Sequence, residues 1–152
     1  VWVVPTWDHV FGKAIKASFE QRVHMCELAF AANRGVRVLT IEKELAGPSR
    51  TLATLLALGQ RNPGVELRLI IGADILPTTD RWHRWDEIVR QAPPLVIGRE
   101  GYAPAPGCPV SIPNVSSTEI RAALAEGRDV TGLVPRDVVD FIAAEQLYRD
   151  PA

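Results

Sequence analysis

The sequence predicts an α/β fold in which helices cover both faces of a parallel β-sheet. Short apolar runs rich in valine and isoleucine alternate along the chain with segments whose apolar residues recur at helical spacing. The strongest strand prediction is 67–71, and the helix predicted at 18–33 has Ser18 as its cap. Strands that alternate with helices at this pitch are typical of βαβ units, whose strands run parallel.

The other elements follow in chain order. An apolar strand at 1–4 is closed by Pro5, because proline lacks an N–H and restrains the residue before it. An exposed loop is predicted at 6–17, and a Pro/Gly-rich loop at 102–109. Further strands are predicted at 36–41, 95–97 and 110–112. Further helices are predicted from the cap Ser49 to the Asn62-Pro63-Gly64 break, at 82–91, from Ser116 onward, and at 136–147 with Pro135 at its start.

Composition limits the class of protein. The 152 residues fit one domain, 1–152, and the apolar fraction of 47% and charged fraction of 23% are ordinary for a soluble globular protein. The net charge of −1 argues against nucleic-acid binding, and no apolar run approaches the roughly 18 residues of a membrane span. Two cysteines, Cys26 and Cys108, do not make a disulfide framework, so a reduced, cytoplasmic setting is expected. The sequence leaves open whether the protein forms homo-oligomers.

A run of hydroxyl residues opens the helix that begins near Ser116. Ser116 can cap this helix, and Glu119 three residues later can reach back to form a capping box. A helix N-terminus also attracts phosphate, because its first N–H groups are unpaired and carry partial positive charge. Ser117 and Thr118 add hydroxyl donors, and Arg121 lies on the same helix face as Ser117. The segment therefore fits either a structural cap or a polyphosphate-binding site.

Polar or small residues follow several of the predicted strands. They are Pro5-Thr6, Glu42, Gly72-Ala73-Asp74, Arg99 and Ser116-Ser117-Thr118. Ligands of open parallel sheets bind at the carboxyl ends of the strands, so these groups are candidates for one site. Gly72 permits close approach of a ligand, and Asp74 offers a carboxylate to a ribose hydroxyl or a metal-bound water. A simple turn in which Asp74 caps a helix is the alternative.

Two tryptophans, Trp82 and Trp85, lie three residues apart in a strongly polar segment. A partly exposed ring would offer a flat face on which a heteroaromatic ligand could stack, whereas in the alternative both rings belong to the core. The three histidines show no metal-ligand spacing, so a zinc site is not expected. The sequence contains neither a P-loop motif nor Gly-x-Gly-x-x-Gly, which argues against P-loop NTPases and ordinary dinucleotide-binding folds.

Together these motifs resemble the bacterial nicotinate-mononucleotide adenylyltransferases, within the nucleotidyltransferase superfamily. The resemblance covers nearly the whole chain, in order. Its more specific blocks are Ile70-Ile71-Gly72-Ala73-Asp74 with Trp82 and Trp85, Ser116-Ser117-Thr118-x-Ile120-Arg121, and Leu133-Val134-Pro135 with Leu147-Tyr148. The family's second strand is similar to residues 1–6, and its Arg-x-x-Met helix is similar to residues 21–25. Its Ser-Tyr-Thr-x-Asp-Thr-Leu segment is similar to residues 49–55.

The resemblance implies a Rossmann-like nucleotidyltransferase fold and transfer of the adenylyl group of ATP to nicotinate mononucleotide, with Mg²⁺ as helper. The products would be deamido-NAD, on the route to NAD, and pyrophosphate. The residues implied for ATP are Gly72, Asp74, Arg99, Ser116, Ser117, Thr118 and Arg121. Those implied for the mononucleotide are Thr6, Thr51, Asp74 and Trp82, with Trp82 stacked on the pyridine and Thr51 near its carboxylate. Arg121 and Lys13 are implied as catalytic, since both would face phosphate.

The sequence departs from the family at several positions. Nothing in it matches the family's Gly-x-Phe-x-Pro-x-His-x-Gly-His signature, whose histidines are the main catalytic groups. Val1 lies inside an apolar run and Met25 is the only methionine, so we expect these histidines in a piece upstream of Val1, where sequencing the gene would find them. Arg50 and Ala53 replace the usual tyrosine and aspartate. Near the pyridine pocket Arg50 would favour an acid over an amide, although a solvated surface arginine is equally compatible with the sequence.

Three functions remain open at this point. The first is adenylyl transfer to nicotinate mononucleotide. The second keeps the reaction and changes the acceptor to nicotinamide mononucleotide or phosphopantetheine, of which the tryptophan pair favours a flat aromatic acceptor. The third is a nucleotide-binding module without catalysis, which would follow if the signature histidines were absent from the gene.

Overall fold

The computed structural model describes residues 1–8, 16–45, 47, 50–102 and 110–148. The chain divides into two compact units. The first unit joins Val1–Ser49 to Val115–Ala152, and the second unit is Arg50–Asn114. Each unit contains parallel strands of its own. The prediction of a single domain over 1–152 stays a prediction.

The described elements alternate between strands and helices. In chain order they are β1 Trp2–Val3, α1 Phe19–Phe30, β2 Arg37–Val38, α2 Ile41–Leu45, α3 Thr51–Arg61, β3 Ile70–Gly72, a 3₁₀ helix Ala73–Arg81, α4 Trp85–Gln91, β4 Leu95–Arg99, β5 Ser111–Ile112, α5 Ser117–Ala125 and α6 Arg136–Ala144. Every strand pairing in the described part of the chain is parallel, which confirms the α/β prediction. No helix among the described residues is both long enough and apolar enough to cross a membrane.

The first unit begins with β1, whose parallel partner is β2. The cap predicted for α1 is confirmed, because the Ser18 hydroxyl accepts a hydrogen bond from the Gln21 N–H at 3.1 Å. In the other direction, the Ser18 N–H donates to the side-chain oxygen Oε1 of Gln21 at 2.9 Å. This is a complete capping box, with Gln21 at the third helical position. The exposed loop predicted at 6–17 is wrong at Ala17, which is buried beside the helix start, and 9–15 lie outside the described residues.

Two boundaries in the first unit differ from the prediction. The strand expected at 36–41 is shorter, because the Lys43 N–H bonds to the Thr40 carbonyl at 3.0 Å and Ile41 already begins α2. Glu42 therefore lies on a helix and not at a strand end. The helix expected at 136–147 stops at Ala144. The Leu147 N–H turns back to the Ile142 carbonyl at 3.0 Å, which closes the helix in the manner of a Schellman motif.

The second unit holds a three-stranded parallel sheet in the order β3-β4-β5. Ile70 pairs with Leu95, and Gly98 with Ser111, so the carboxyl ends of the three strands open at one edge. A buried cluster from α3 and α4 forms the core of this unit. Its members are Leu52, Leu55, Ile88 and Ala92, with Leu67, Leu69, Trp82 and Trp85 packed against them.

Boundaries in the second unit also shift. The strand expected at 67–71 begins only at Ile70, and the helix expected at 82–91 begins at Trp85. A 3₁₀ helix occupies Ala73–Arg81, where the sequence predicts no regular element; the Thr78 and Thr79 hydroxyls each donate to a carbonyl three residues back. The predicted cap of α3 is Ser49, and the residue that directly precedes the helix is Arg50, without a side-chain cap bond. Ser49 itself lies outside the described residues.

Candidate active site

A charged cluster lies where the three strands of the second unit end. Nη1 of Arg99, the last residue of β4, donates to Oδ2 of Asp74 at 2.7 Å, and Nε of Arg99 donates to Oδ1 of Asn114 at 3.2 Å. We call Asp74, Arg99 and Asn114 the strand-end cluster. The ion pair is largely shielded, with side chains 22% and 19% exposed. The sequence placed Asp74 and Arg99 at strand ends, and the structure brings them into direct contact.

Two glycines permit this geometry. A β-carbon at Gly72 would collide with Oδ1 of Asp74, so glycine lets that carboxylate fold back over the end of β3. A β-carbon at Gly98 would lie 2.8 Å from the Val110 carbonyl oxygen, so glycine also lets β5 approach β4. Asp74 lies in the first turn of the 3₁₀ helix, and Gly72 occupies its cap position. The alternative in which Asp74 caps this helix is therefore wrong.

In the first unit, Ser116 begins α5 as predicted. The Ser116 hydroxyl accepts from the Thr118 N–H at 3.3 Å, so the cap is confirmed. The predicted capping box is wrong, since the hydroxyl bonds to the second helical residue and not to Glu119, the third. Ser117 and Thr118 are exposed, and Nη2 of Arg121 donates to the Thr118 hydroxyl at 3.3 Å. The helix start thus presents hydroxyls and a guanidinium together.

A second arginine, Arg22, organises the segment after β1. Its Nη1 donates to the Thr6 carbonyl at 2.5 Å and its Nε to the Ala17 carbonyl at 3.4 Å. Burial raises the pKa of the Tyr148 phenol, and the positive charges of Arg121 and Arg22 act in the opposite direction. Arg22 therefore holds the backbone both at Thr6 and at Ala17.

The chain beyond Thr6 is held by aromatic and charged contacts. The Trp7 N–H donates to a carboxylate oxygen of the buried Glu42 at 3.0 Å. The Trp7 and Phe19 rings meet edge to face with centroids 5.0 Å apart, and Lys43 lies 5.5 Å from the Trp7 centroid. These contacts fix the exit of β1. Lys13, implied as catalytic, lies outside the described residues.

Trp82 and the start of α3 both lie at the core cluster of the second unit. The Trp82 and Trp85 rings pack edge to face with centroids 5.6 Å apart, and both are half-buried against the core cluster. Leu52 belongs to that cluster, and it follows Thr51, the first residue of α3. Packing on the core is therefore shown for both rings, and stacking of a ligand on Trp82 stays a prediction. Each ring packs on the core, and each keeps an exposed portion.

Sequence reasoning missed two residues of these sites. Asn114 completes the strand-end cluster, and its signal was an asparagine just past β5 and two residues before Ser116. Arg22 holds Thr6, and its signal was the Arg-x-x-Met block, which carried no assigned role.

Cys26 is a free thiol, and burial raises its pKa. Among the residues that the structure describes, no three His, Cys, Asp or Glu side chains are grouped so that they could hold a metal ion.

Comparison with known proteins identifies the family. No family model matches the chain. A probable nicotinate-nucleotide adenylyltransferase of Anaeromyxobacter dehalogenans is 47% identical over 152 residues, covering 98% of this chain and 80% of that protein. One from Myxococcus xanthus is 39% identical, covering 97% of this chain and 78% of that protein. Among solved structures, the chain is similar to the Plasmodium falciparum nicotinic acid mononucleotide adenylyltransferase in complex with NaAD. The TM-score is 0.75 at 16% identity, and the match covers 97% of this chain and 81% of that one. This similarity confirms the Rossmann-like nucleotidyltransferase fold. The chain belongs to the nicotinate-nucleotide adenylyltransferase family.

Proposed function

We propose that the chain transfers the adenylyl group of ATP to nicotinate mononucleotide, giving deamido-NAD and pyrophosphate in NAD biosynthesis. The observation that carries this proposal is the 47% identity, over almost the whole chain, to a protein named for that activity. The Plasmodium protein that shares the fold is in complex with NaAD, the dinucleotide that this reaction would form. Because the proposed reaction consumes ATP, which is abundant in the cytoplasm, we infer that the protein is cytoplasmic.

The chemistry makes modest demands on the protein. An oxygen of the 5′-phosphate of nicotinate mononucleotide attacks the α-phosphorus of ATP, the new P–O bond forms, and the bond to the β-phosphate oxygen breaks. Pyrophosphate leaves with the electron pair. Such a transfer needs alignment of the two phosphates and neutralisation of the charge that builds on the phosphorus oxygens, without a covalent nucleophile.

The strand-end cluster is the proposed seat of the ATP nucleoside. Arg99 lies along the nucleotide with Gly72, whose missing side chain leaves the backbone open. Arg99 uses only part of the hydrogen-bond acceptor sites of the Asp74 carboxylate, so Asp74 can also accept a hydrogen bond from a ribose hydroxyl. A carboxylate held by a charged donor costs less to keep in a partly shielded site than a lone one, which supports this role.

The start of α5 is the proposed seat of the ATP phosphates. Ser116, Ser117 and Thr118 supply hydroxyls, the first turn supplies unpaired N–H groups, and Arg121 supplies positive charge. Arg121 is the catalytic residue of this set, because charge that develops on the α-phosphate strengthens its contact in the transition state. Lys13 is the second proposed catalytic cation, and that assignment stands on the family resemblance.

The acceptor is proposed to bind between Trp82 and the start of α3. The exposed part of the Trp82 ring would stack on the pyridine, and Thr51 with the first N–H groups of α3 would meet the pyridine carboxylate. Thr6, which Arg22 fixes, is proposed to contact the mononucleotide as well. Among the described residues the Arg50 guanidinium makes no hydrogen bond or ion pair, so it is available to add charge selectivity for the acid.

Mg²⁺ is proposed to accompany ATP. Asp74 is the carboxylate of the proposed site, and Arg99 already holds it at 2.7 Å. Magnesium usually keeps several waters and binds one or two carboxylates together with substrate phosphates. The donor set therefore fits an ion whose ligands are mainly ATP phosphate oxygens and water, and when bound it would neutralise phosphate charge.

An assay on the full-length gene product tests the proposal. With ATP, Mg²⁺ and nicotinate mononucleotide, we expect pyrophosphate and deamido-NAD in equal amounts, and a lower kcat/KM with nicotinamide mononucleotide. Arg50→Ala should lower the acid-to-amide ratio of kcat/KM about 3- to 10-fold, and Arg61→Ala at the other end of α3 should leave it unchanged. ATP binding without pyrophosphate release would contradict the proposal and favour the non-catalytic module.

A further inference from the structure

The guanidinium of Arg99 is held at two of its nitrogens by two different segments. Nη1 donates to the Asp74 carboxylate at 2.7 Å and Nε donates to the Asn114 side-chain oxygen at 3.2 Å. A planar group fixed at two atoms cannot turn about its long axis without breaking a bond. The orientation of the Asn114 amide follows from chemistry, because a guanidinium only donates and the amide must present its oxygen.

The position of Asn114 is itself fixed by the sheet. The Gly98 N–H bonds to the Val110 carbonyl at 3.0 Å and the Glu100 N–H bonds to the Ile112 carbonyl at 3.0 Å, one on each side of Arg99. Asn114 follows two residues after the end of β5. The segment that carries the amide is therefore anchored directly beside the arginine that the amide contacts.

The absence of charge on the Asn114 side chain matters as much as its hydrogen bond to Arg99. Asp74 already balances the charge of Arg99, so an uncharged acceptor leaves the strand-end cluster with a formal charge of zero. An aspartate at 114 would be a stronger acceptor of nearly the same shape, and it would make the cluster net negative. A net negative cluster repels a polyphosphate, whereas a neutral one does not.

We propose that Asn114 is a positioning residue for ATP, which fixes the plane of the Arg99 guanidinium without adding negative charge. This inference rests on the proposed function, because it takes from there the assignment of Arg99 to ATP. Asn114 touches neither substrate in this role. It acts through Arg99, so its effect must depend on Arg99 being present.

Equilibrium binding of ATP to the full-length protein, with Mg²⁺ and without a mononucleotide, tests the inference. Asn114→Ala should raise the Kd for ATP about 3- to 10-fold, the range of one hydrogen bond to a charged group near the surface. In an Arg99→Ala background the same change should have no further effect. Asn33→Ala, an exposed asparagine of the first unit, is the control and should bind ATP like the wild type.

Asn114→Asp separates positioning from simple support of the loop. It should melt at or above the wild-type temperature, yet bind ATP more weakly, because the acceptor survives and negative charge is added. In turnover the Ala and Asp variants should raise KM for ATP while kcat stays close to the wild-type value. A merely structural asparagine would instead be rescued by aspartate.

The outcomes separate the two proposals. If the wild type binds ATP and Asn114→Ala binds it equally well, or if the effect persists in the Arg99→Ala background, the inference is overturned and the proposed function stands. Full ATP binding by Asn114→Asp would also overturn it. If the wild type itself fails to bind ATP, the proposed function is overturned and the inference falls with it.

Discussion

The two arginines proposed for ATP are held in different ways. Arg99 is fixed by side chains 25 and 15 residues away in the sequence, and it is only 22% exposed. Arg121 donates to Thr118, three residues away on its own helix, at 3.3 Å. One cation is built into a sheet edge by tertiary contacts, and the other lies on the second turn of a helix and bonds back to the first turn.

This difference predicts different effects on the reaction. A guanidinium that is already oriented gives up little freedom when a ligand arrives, so its contribution appears as affinity for the ground state. A guanidinium whose resting contact is a 3.3 Å bond within its own helix is less firmly oriented, and it gains most where charge develops. Loss of Arg121 should therefore lower kcat, and damage around Arg99 should raise KM for ATP.

The largest expected effect belongs to Arg121. Arg121→Ala removes charge beside the α-phosphate, and we expect kcat to fall by about 10- to 1000-fold in steady-state assays. The matched control is Arg128→Ala, an exposed arginine just after α5 whose carboxylate partner is Glu126. Unchanged turnover in Arg121→Ala would refute the catalytic assignment.

Asp74 comes next and acts on ATP affinity. Asp74→Ala removes the carboxylate that holds Nη1 of Arg99 and that we propose for the ribose, so KM for ATP should rise about tenfold with a smaller change in kcat. Because the pair is about one-fifth exposed, the free energy of unfolding should fall by only about 1–2 kcal/mol. Asp80→Ala, exposed near the end of the same 3₁₀ helix, serves as the comparison in both assays. A fall in kcat at constant KM would erase the distinction between the two arginines.

Gly72 tests whether the glycine acts through Asp74. A β-carbon there would meet Oδ1 of Asp74, so Gly72→Ala should turn the carboxylate away from Arg99 and raise KM for ATP about 3- to 5-fold. Combined with Asp74→Ala, it should add less than it does alone, because only the approach of the nucleotide to the Gly72 backbone is then left to be blocked. The control is Gly59→Ala inside α3, where a β-carbon meets no atom within 4 Å and should stabilise the helix by about 0.5–1 kcal/mol. Full additivity of the two changes would show that Gly72 acts on its own.

Local features of the fold could be predicted from the sequence. The Ser18 and Ser116 caps depend on residues two or three positions apart, and parallel strands follow from the alternation of short elements. The short helix at Ile41 was not predicted, because Ile41 itself continues the β-branched run that precedes it and the helix is only five residues long. Tertiary packing overrides local propensity at such positions.

The candidate site divides along the same line. Asp74 and Arg99 could each be placed at a strand end, because that position follows from the strand prediction alone. Their contact with each other and with Asn114 could not be predicted, since it depends on which strands are neighbours and on the register between them. Sequence reasoning thus found the residues around Arg121, which are local, and missed Asn114 beside Arg99.

The smallest expected effect concerns Ser116, whose hydroxyl has a structural role and a proposed binding role. Ser116→Ala should lower the free energy of unfolding by about 1 kcal/mol in urea, since the bond to the Thr118 N–H is lost. Ser116→Gly also lacks the hydroxyl, but glycine suits a cap position, so it should lower the free energy of unfolding by only a few tenths of a kcal/mol. If the hydroxyl also binds phosphate, the two variants should raise KM for ATP by the same factor of about 2 to 5 despite their different stabilities. A KM that follows stability would instead mean that Ser116 serves ATP only by beginning the helix that carries Arg121.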